Sequence, residues 1–257
     1  MLQISKIKAI TLDLDDTLWP VWPTIKRAET ALAEWLRQHA PSAALLLADP
    51  PVRLKLRDQV LRTRPEIAHN MSAVRCELIR LALHSCREDV RLAEPAFEVF
   101  FEHRMKVDLF ADALPALAFL AQRFPVVALS NGNADVHRVG IGTHFFGSVS
   151  AHEFGVGKPD RRIFNAGAAM AGVAPHEVLH VGDDGALDVL GALNAGMQTV
   201  WVNRDAHDWL HTAKPHITVT DLAQLCALFE PGPAVSPAHS PRAGAGEFRQ
   251  GDETRVG

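Results

Sequence analysis

Two aspartates separated by a single residue follow the first apolar segment of the chain. Asp13 and Asp15 lie in the run Asp-Leu-Asp-Asp-Thr, and a spacing of two places both side chains on the same side of an extended backbone. Two carboxylates this close repel each other unless a metal ion binds them or one of them holds a proton. The pair therefore predicts a metal or proton-transfer site, and a capped turn after a strand is the alternative.

Two later segments carry groups that bind anions. Ser130 and Asn131 begin a glycine-containing turn, in which a hydroxyl group and amides can surround phosphoryl oxygens. Lys158 precedes Pro159, and a proline in the first turn of a helix would hold the lysine at the helix entrance as a point charge. The alternatives are an ordinary Asn-Gly turn and a solvated surface lysine.

A second group of acidic residues follows another apolar segment. Asp183 and Asp184 are adjacent, and Asp188 comes four residues after Asp184. Adjacent carboxylates at the end of a strand supply the hard oxygen ligands that Mg²⁺ prefers. Capping of the next helix by Asp183 or Asp184 is the alternative, and it can coexist with metal binding.

Each of these segments lies where a predicted strand ends or a predicted helix begins. Strands that alternate with helices are typical of a parallel sheet covered on both faces, and ligands bind beyond the carboxyl ends of its strands. We therefore expect the segments to converge on one site with a metal, a nucleophile and a phosphate clamp. The predicted strands are 7–12, 125–129, a short one near 148, 178–181, 199–202 and 217–219, and the predicted helices are 112–123, 161–171, 186–195 and 222–229.

The stretch after the first strand has a different pattern. From about 23 to 106 the apolar residues recur at helical spacing, with no convincing strand among them. The sequence therefore predicts an α/β core made of residues 1–18 and 109–230, interrupted by an all-helical insertion at 19–108. The segment 231–257 is rich in proline, glycine, alanine and serine, which predicts a disordered tail.

Composition excludes several classes of function. The 257 residues carry a net charge of -4, whereas nucleic-acid binders are normally basic, and no apolar run approaches the about 20 residues that span a bilayer. Cys76, Cys86 and Cys226 show no metal-binding spacing, which is consistent with a reducing cytoplasm. We expect a cytoplasmic protein that binds a small molecule, with no nucleic-acid or membrane partner; a monomer is compatible with the sequence, which leaves the oligomeric state open.

The four motifs, in this order, resemble those of the haloacid dehalogenase superfamily of phosphohydrolases. The resemblance is carried by DLDDTL, LSNGN, GKPD and HVGDDGALDVLGALNAGM and extends from residue 7 to 202. It implies a Rossmann-like α/β core with a parallel sheet, and it identifies the helical insertion as a cap domain.

The resemblance also implies roles for the residues of these motifs. Asp13 would be the nucleophile that forms an aspartyl phosphate, and Asp15 the acid/base. Ser130, Asn131 and Lys158 would hold the phosphoryl group. The implied cofactor is Mg²⁺, held by Asp13, Asp15 and Asp183, with Asp184 or Asp188 as a further ligand or orienting group.

Asp15 separates two chemistries within this superfamily. Dehalogenating members lack an aspartate two residues after the nucleophile, because a halide leaves without protonation whereas an alkoxide does not. Asp15 therefore favours a phosphomonoester hydrolase over a 2-haloacid dehalogenase. A sugar-phosphate phosphatase or phosphomutase on the same scaffold, and a non-catalytic phospho-aspartate receiver, are the remaining alternatives.

A closer resemblance concerns the substrate. The runs TLDLDDTLWP, RPEIAHNMSAVR, ALSNGNADV and LHVGDD are similar to bacterial phosphatases of riboflavin biosynthesis. This closer resemblance implies that the substrate is 5-amino-6-(5-phospho-D-ribitylamino)uracil or FMN. Candidate substrate contacts in the insertion, for which a solvated helix face or core packing is the alternative, are Arg62, Arg64, His69, Arg75, Trp19 and Trp22.

Overall fold

Short apolar segments rich in β-branched residues form the strands of a parallel sheet. A computed structural model describes residues 1–230, and within this range six strands pair, all of them parallel. They are β1 (Ala9–Leu12), β2 (Val126–Ser130), β3 (Gly147–Ser150), β4 (Val178–Gly182), β5 (Gln198–Val202) and β6 (Ile217–Val219).

The order of the strands determines where a ligand can bind. The sheet has the order β3-β2-β1-β4-β5-β6, so the chain runs outward from β1 through β2 to β3 and then returns to β4 on the other side of β1. Leu12 at the end of β1 pairs with Ala128 on one side and with Val181 on the other. The direction of winding reverses between β1 and β4, and in open parallel sheets the crevice at such a point is where ligands bind.

The first five of the six α-helices between β1 and β2 pack together. Their buried apolar side chains, among them Leu36, Ile79 and Phe100, form a cluster drawn entirely from residues 28–100, separate from the clusters that cover the sheet. The helices therefore bury their apolar faces chiefly against one another. They are α1 (Val21–His39), α2 (Pro41–Ala48), α3 (Pro50–Thr63), α4 (Met71–Ser85) and α5 (Ala93–Arg104).

The remaining helices cover the two faces of the sheet. Ile10 and Leu12 of β1 pack in one cluster with residues of α6 (Ala113–Ala121) and α11 (Leu222–Ala227). Ala9 packs on the opposite face, because successive side chains of a strand alternate. The short helices α7 and α8 are Val136–Val139 and Ala151–Phe154, and the opposite face is covered by α9 (Arg161–Met170) and α10 (Gly191–Asn194).

The predicted helix 186–195 is divided into two parts. Residues Gly185–Leu190 form a wide π-helical turn, and α10 follows it directly. The side chain of Asp184 accepts hydrogen bonds from the backbone N–H groups of Ala186 and Leu187, each at 2.8 Å, and so caps this turn. Shorter 3₁₀ turns occur at Ile4–Lys6, Pro65–Ile67, Val90–Leu92, Gly142–His144 and Pro175–Glu177.

The predicted fold class, a parallel α/β sheet with an all-helical insertion after the first strand, is confirmed. The division into a core of 1–18 and 109–230 and a cap of 19–108 stays a prediction, and the predicted tail at 231–257 lies outside the described residues. Within residues 1–230, none of the helices combines the length and the apolar character that crossing a bilayer requires.

Candidate active site

Asp13 continues the line of β1 into the crevice. Its backbone N–H donates to the carbonyl of Val181 in β4 at 2.9 Å, which extends the β1–β4 pairing by one residue. Its side chain is buried and forms an ion pair with Lys158, which is equally buried. A buried carboxylate at the switch point of the sheet, with a cation in contact, is the central feature of this site.

Lys158 is held between two acids. Its ammonium nitrogen Nζ donates to Asp13 and, at 2.5 Å, to Oδ1 of Asp188. Asp188 is held in turn by Nε2 of His180 at 3.1 Å and by the backbone N–H of Asp184 at 3.0 Å. This network keeps the lysine charged and directed at Asp13.

The pKa values of this network follow from burial and charge. Burial alone would lower the pKa of Lys158, but the negative charges of Asp13 and Asp188 outweigh it and raise that pKa. Burial would likewise raise the pKa of Asp188, but the charge of Lys158 and the hydrogen bond from His180 hold it below its usual range. Burial lowers the pKa of His180, so its ring is neutral and Nδ1 accepts from the hydroxyl of Thr11 at 2.9 Å.

Asp183 follows β4 and points toward Asp13. The hydroxyl of Thr17 donates to Oδ1 of Asp183 at 3.0 Å, and the indole Nε1 of Trp201 donates to the backbone carbonyl of Asp183 at 2.6 Å. Burial, together with the negative charge of Asp188, raises the pKa of Asp183 to about 7. Its carboxylate therefore lies in a strongly negative environment.

The acids of the crevice fit a hard divalent cation. Carboxylate oxygens of Asp13, Asp183 and Asp188 lie within 4.8 Å of one another. In the part of the chain that the structure describes, these residues form the one cluster of three or more His, Cys, Asp or Glu side chains that could hold a metal ion. Burial raises the pKa of Asp13, and the nearby negative charges of Asp188 and Asp183 add to that effect despite the opposing charge of Lys158. Carboxylate oxygens that repel each other in this way are the ligand set that Mg²⁺ prefers.

The structure separates the two acids that sequence could not rank. Asp184 is exposed and its side chain caps the π-helical turn, whereas Asp188 is buried against Lys158. The Asp184 side chain does not belong to the acidic group of the crevice. Asp188 thus acts on the site through the lysine, and Asp184 through its backbone N–H.

The turn after β2 contributes Ser130 and Asn131. The hydroxyl oxygen of Ser130 is buried and accepts from the N–H of Gly132 at 2.9 Å. Asn131 uses both ends of its amide on the backbone of Lys158, accepting from its N–H at 2.6 Å and donating to its carbonyl at 2.9 Å. Asn131 therefore positions the lysine, and its predicted contact with a phosphoryl group stays a prediction.

Lys158 does not lie at the entrance of a helix, although the sequence predicts that position. α9 begins at Arg161 with Asp160 as its N-cap, so Pro159 precedes the helix instead of lying in its first turn. The lysine side chain is directed into the crevice and buried, because Asn131 holds its backbone and two carboxylates hold its ammonium group.

Asp15 lies apart from the acidic group of the crevice. Its two carboxylate oxygens accept from Nη2 of Arg104 at 2.6 and 2.7 Å, and Oδ1 also accepts from the indole of Trp19 at 2.8 Å. The Asp15 carboxylate lies outside the acidic group of Asp13, Asp183 and Asp188, and the role of Asp15 as a metal ligand stays a prediction. Trp19, a candidate for stacking on substrate, is instead fully buried, and Trp22 is largely exposed.

The loop that carries Asp13 and Asp15 is fixed from several sides. Asp16 adopts a left-handed conformation with φ 57°, which aspartate tolerates better than most residues, and its carboxylate accepts from the N–H of Val21 at the start of α1. Arg204, after β5, donates to the carbonyl of Thr17 at 2.9 Å and pairs with Asp112. Neither Arg104 nor Arg204 could be found from sequence, because each contacts this loop across a long stretch of chain.

A cavity of about 270 Å³ opens between the helices of the insertion and ends near the turn after β2. Its lining is mostly apolar and includes Asn133 of that turn and Phe100 of α5. Of the arginines predicted to contact substrate, Arg75 lines this cavity and pairs with Glu29 at 2.5 Å. Arg62 and Arg64 are exposed, and His69 is partly buried.

Comparison with known proteins places this site in a family. The model of the haloacid dehalogenase-like hydrolases matches residues 7–196. The 5-amino-6-(5-phospho-D-ribitylamino)uracil phosphatase YigB of Escherichia coli K12 is 32% identical over 233 residues, which cover 88% of this chain and 97% of YigB. A phosphoserine phosphatase of Thermus thermophilus is 34% identical over 154 residues, covering 58% of this chain and 62% of that protein.

A solved structure shares the whole architecture. The crystal structure of a 2-haloacid dehalogenase from Pseudomonas syringae pv. tomato DC3000 superposes with a TM-score of 0.83 at 35% identity, covering 87% of this chain and 98% of that one. The matching family model and the shared fold therefore both agree with an active site in the crevice.

Proposed function

The chain belongs to the haloacid dehalogenase-like hydrolases and is a phosphatase, and we propose that it hydrolyses a small phosphomonoester through an aspartyl phosphate on Asp13. The observation that carries this proposal is the buried ion pair of Asp13 and Lys158 beside the carboxylate of Asp183. Such a pair presents a nucleophile and a cation to the same anionic group.

In the first step an oxygen of Asp13 attacks phosphorus, and the bond between phosphorus and the ester oxygen breaks. Asp15, two residues on, gives its proton to the departing alkoxide, which leaves as an alcohol. Lys158 balances the charge of the phosphoryl oxygens, because Asp188 and Asn131 hold its ammonium group and its backbone in place.

In the second step Asp15 takes a proton from water, and the water oxygen attacks phosphorus. The bond between phosphorus and Asp13 breaks, so inorganic phosphate leaves and the carboxylate of Asp13 is restored. Splitting one difficult displacement into two easier ones is the general advantage of a covalent intermediate.

We propose Mg²⁺ as the cofactor, held by Asp13 and Asp183. When bound, it neutralises charge that would otherwise repel the anionic nucleophile from the phosphoester. Asp188 is already held by Lys158, His180 and the N–H of Asp184, which leaves it to orient the lysine.

We assign the helices α1–α5 the role of a cap that selects the leaving group. The support is the cavity between them, which is largely apolar, includes Asn133 in its lining and has four charged lining residues, Glu29, Arg53, Arg57 and Arg75. A flat heterocycle with polar edges fits such a lining. With the name of the Escherichia coli relative, this supports 5-amino-6-(5-phospho-D-ribitylamino)uracil or FMN as substrate.

A phosphate-release assay on purified protein tests the reaction. We expect turnover of p-nitrophenyl phosphate with Mg²⁺, loss of turnover in EDTA, and a decrease of at least about 10³-fold in Asp13→Asn. Full turnover by that variant would disprove the assignment of the nucleophile.

A metabolite panel tests the substrate. We expect higher kcat/KM for FMN and the ribitylaminouracil phosphate than for sugar phosphates and phosphoserine. Equal or higher activity on a sugar phosphate, or conversion of a hexose 1-phosphate to its 6-phosphate, would instead identify a sugar-phosphate phosphatase or a phosphomutase.

The similarity to the Pseudomonas syringae structure makes a 2-haloacid dehalogenase the second candidate. Asp15 weighs against it, since a halide needs no proton to leave. Chloride release from 2-chloropropionate, measured beside phosphate release from FMN, decides between the two reactions.

A further inference from the structure

We propose that Arg104 is a positioning residue that holds the acid/base Asp15 in its working position and so couples that carboxylate to the last helix of the insertion. The proposal rests on the function assigned to Asp15 above. It adds a residue that none of the four motifs contains.

The contact is close and buried. Nη2 of Arg104 lies 2.6 Å from Oδ1 and 2.7 Å from Oδ2 of Asp15, and the arginine side chain is only 1% exposed. Trp19, itself fully buried, donates to Oδ1 at 2.8 Å. The carboxylate is therefore held on one side by two donors from the protein.

The turn after β2 leaves room for this arrangement. A Cβ atom on Gly132 would lie 2.5 Å from Oδ2 of Asp15 and 3.5 Å from Nη2 of Arg104. Only a residue without a side chain allows the carboxylate to approach the turn this closely. The same Cβ would lie 3.3 Å from the hydroxyl oxygen of Ser130, so the Asp15–Arg104 pair borders the predicted phosphoryl site.

Stability alone does not account for the pair. Within residues 1–230, Nε and Nη1 of Arg104 have no hydrogen-bond partner although both are buried. Leaving buried donors unpaired costs free energy, and a buried ion pair is itself weak support for a fold. The guanidinium group of Arg104 donates to the acid/base through one nitrogen and leaves its other two nitrogens unpaired. A requirement of the reaction explains this arrangement better than a contribution to stability does.

The position of Arg104 in the chain gives the contact a further consequence. It is the last residue of α5, one turn after Phe100, which lines the cavity of the insertion. A shift of α5 relative to the sheet would therefore move the partner of Asp15. Occupation of the cavity and placement of the acid/base are in this way linked through one helix.

Leaving-group dependence tests the proposal. Departure of the alkoxide of FMN needs a proton, whereas 2,4-dinitrophenyl phosphate releases a stable anion that needs none. The kcat/KM value covers only the steps up to this departure. We expect Arg104→Met to lower kcat/KM for FMN by about 10²-fold and that for the dinitrophenyl ester by less than about fivefold. Arg104→Lys, which can place one charged nitrogen near both oxygens, should restore most of the loss.

Arg138→Gln is the matched control. Arg138 also binds α5, by a hydrogen bond to Glu98 at 2.8 Å, but this pair is largely exposed. We expect both substrates to keep wild-type kcat/KM within about twofold, because exposed pairs contribute little. If Arg104→Met does not fold, Trp19→Phe removes the other donor to Asp15 and should shift the ratio of the two kcat/KM values in the same direction.

The outcomes separate this inference from the proposed function. If Asp15→Asn leaves kcat/KM for FMN unchanged, the assignment of the acid/base is wrong. If Asp15→Asn lowers it but the variants of Arg104 and Trp19 change both substrates equally, or neither, Arg104 has only a structural role and the inference is wrong.

Discussion

Four aspartates in and beside the crevice have different surroundings although they are the same residue type. Asp13 faces Lys158, Asp183 faces the other acids, Asp188 holds the lysine and Asp184 caps a turn. Burial and neighbouring charge, not residue type, produce these differences. Environments that shift the pKa values of neighbouring titratable groups in opposite directions are typical of active sites.

Asp183 and Asp184 form a matched pair for testing the metal site. We expect Mg²⁺ to change the tryptophan fluorescence of the wild-type protein, because Trp201 donates to the backbone carbonyl of Asp183, and we expect Asp183→Asn to abolish this change. Activity should fall by at least about 10²-fold.

Asp184→Asn serves as the control, since asparagine is an equally good N-cap. Titration of both variants with Mg²⁺, followed by fluorescence and phosphate release, measures the difference. A normal Mg²⁺ response in Asp183→Asn, or its loss in Asp184→Asn, would contradict the assignment.

Strand ends and helix starts bring these side chains together. β1 and β4 deliver Asp13 and Asp183 to the same edge of the sheet, and β2 delivers Ser130. The turn after β5 contributes Arg204, which links the loop after β1 to Asp112 at the start of α6. Asp112 also accepts from the N–H of Leu222 at 2.6 Å, so one carboxylate joins two helices and an active-site loop.

Asp112→Asn should therefore destabilise the protein. Burial would raise the pKa of Asp112, but the hydrogen bond from Arg204 and the backbone hydrogen bond from Leu222 lower it overall. A carboxyl group with a depressed pKa stabilises the fold above its unfolded value of 3.8, and this contribution is lost as the pH falls through the folded pKa. We expect a loss of about 2 kcal/mol at pH 7 that shrinks below pH 4.

Urea unfolding at several pH values measures this difference. Asp108→Asn is the control, because the pair of Asp108 with Arg27 is largely exposed and should contribute less than about 1 kcal/mol. An effect of Asp112→Asn that does not change between pH 7 and pH 3 would show that the charge of Asp112 does not contribute.

The molecule as a whole combines a sheet whose edge carries the candidate site with a helical unit that contains the cavity. The apolar cluster of residues 28–100 is separate from the two clusters around the sheet. Contacts such as Arg104 with Asp15, and Asn133 with Ser72 at 3.1 Å, join the helical unit to the crevice. Under the proposed function, this arrangement would allow the leaving group to be selected separately from the phosphoryl group.

Ala68→Trp tests the cavity as the leaving-group site. Ala68 is exposed and lines the cavity, so an indole there would reduce the space for a heterocycle. We expect KM for FMN to increase by about 10-fold, the size of a lost apolar contact, and kcat/KM for acetyl phosphate to stay within about twofold. Leu45→Trp, at an exposed position of α2, is the control. Equal losses on both substrates in Ala68→Trp would contradict the assignment.

Much of the fold and of the site could be predicted from the order of short patterns. Apolar runs predicted strands that end at or within one residue of the observed ones, since a buried parallel strand needs a continuous apolar segment. The polar residues directly after these runs had to meet at one edge of the sheet. Asp13, Ser130 and Asp183 follow from this rule, and Lys158 from its motif.

The remaining features depend on contacts between distant parts of the chain. Arg104 lies 89 residues from Asp15, and no local spacing indicates that a helix end returns to the acid/base. Asp184 and Asp188 are equivalent as residue types, and only the π-helical turn decides which carboxylate reaches Lys158. The positions of the strands along the chain follow from local apolar patterns, whereas their order in the sheet and the partner of a buried charge are determined by three-dimensional packing, because electrostatic energy depends on distance in space.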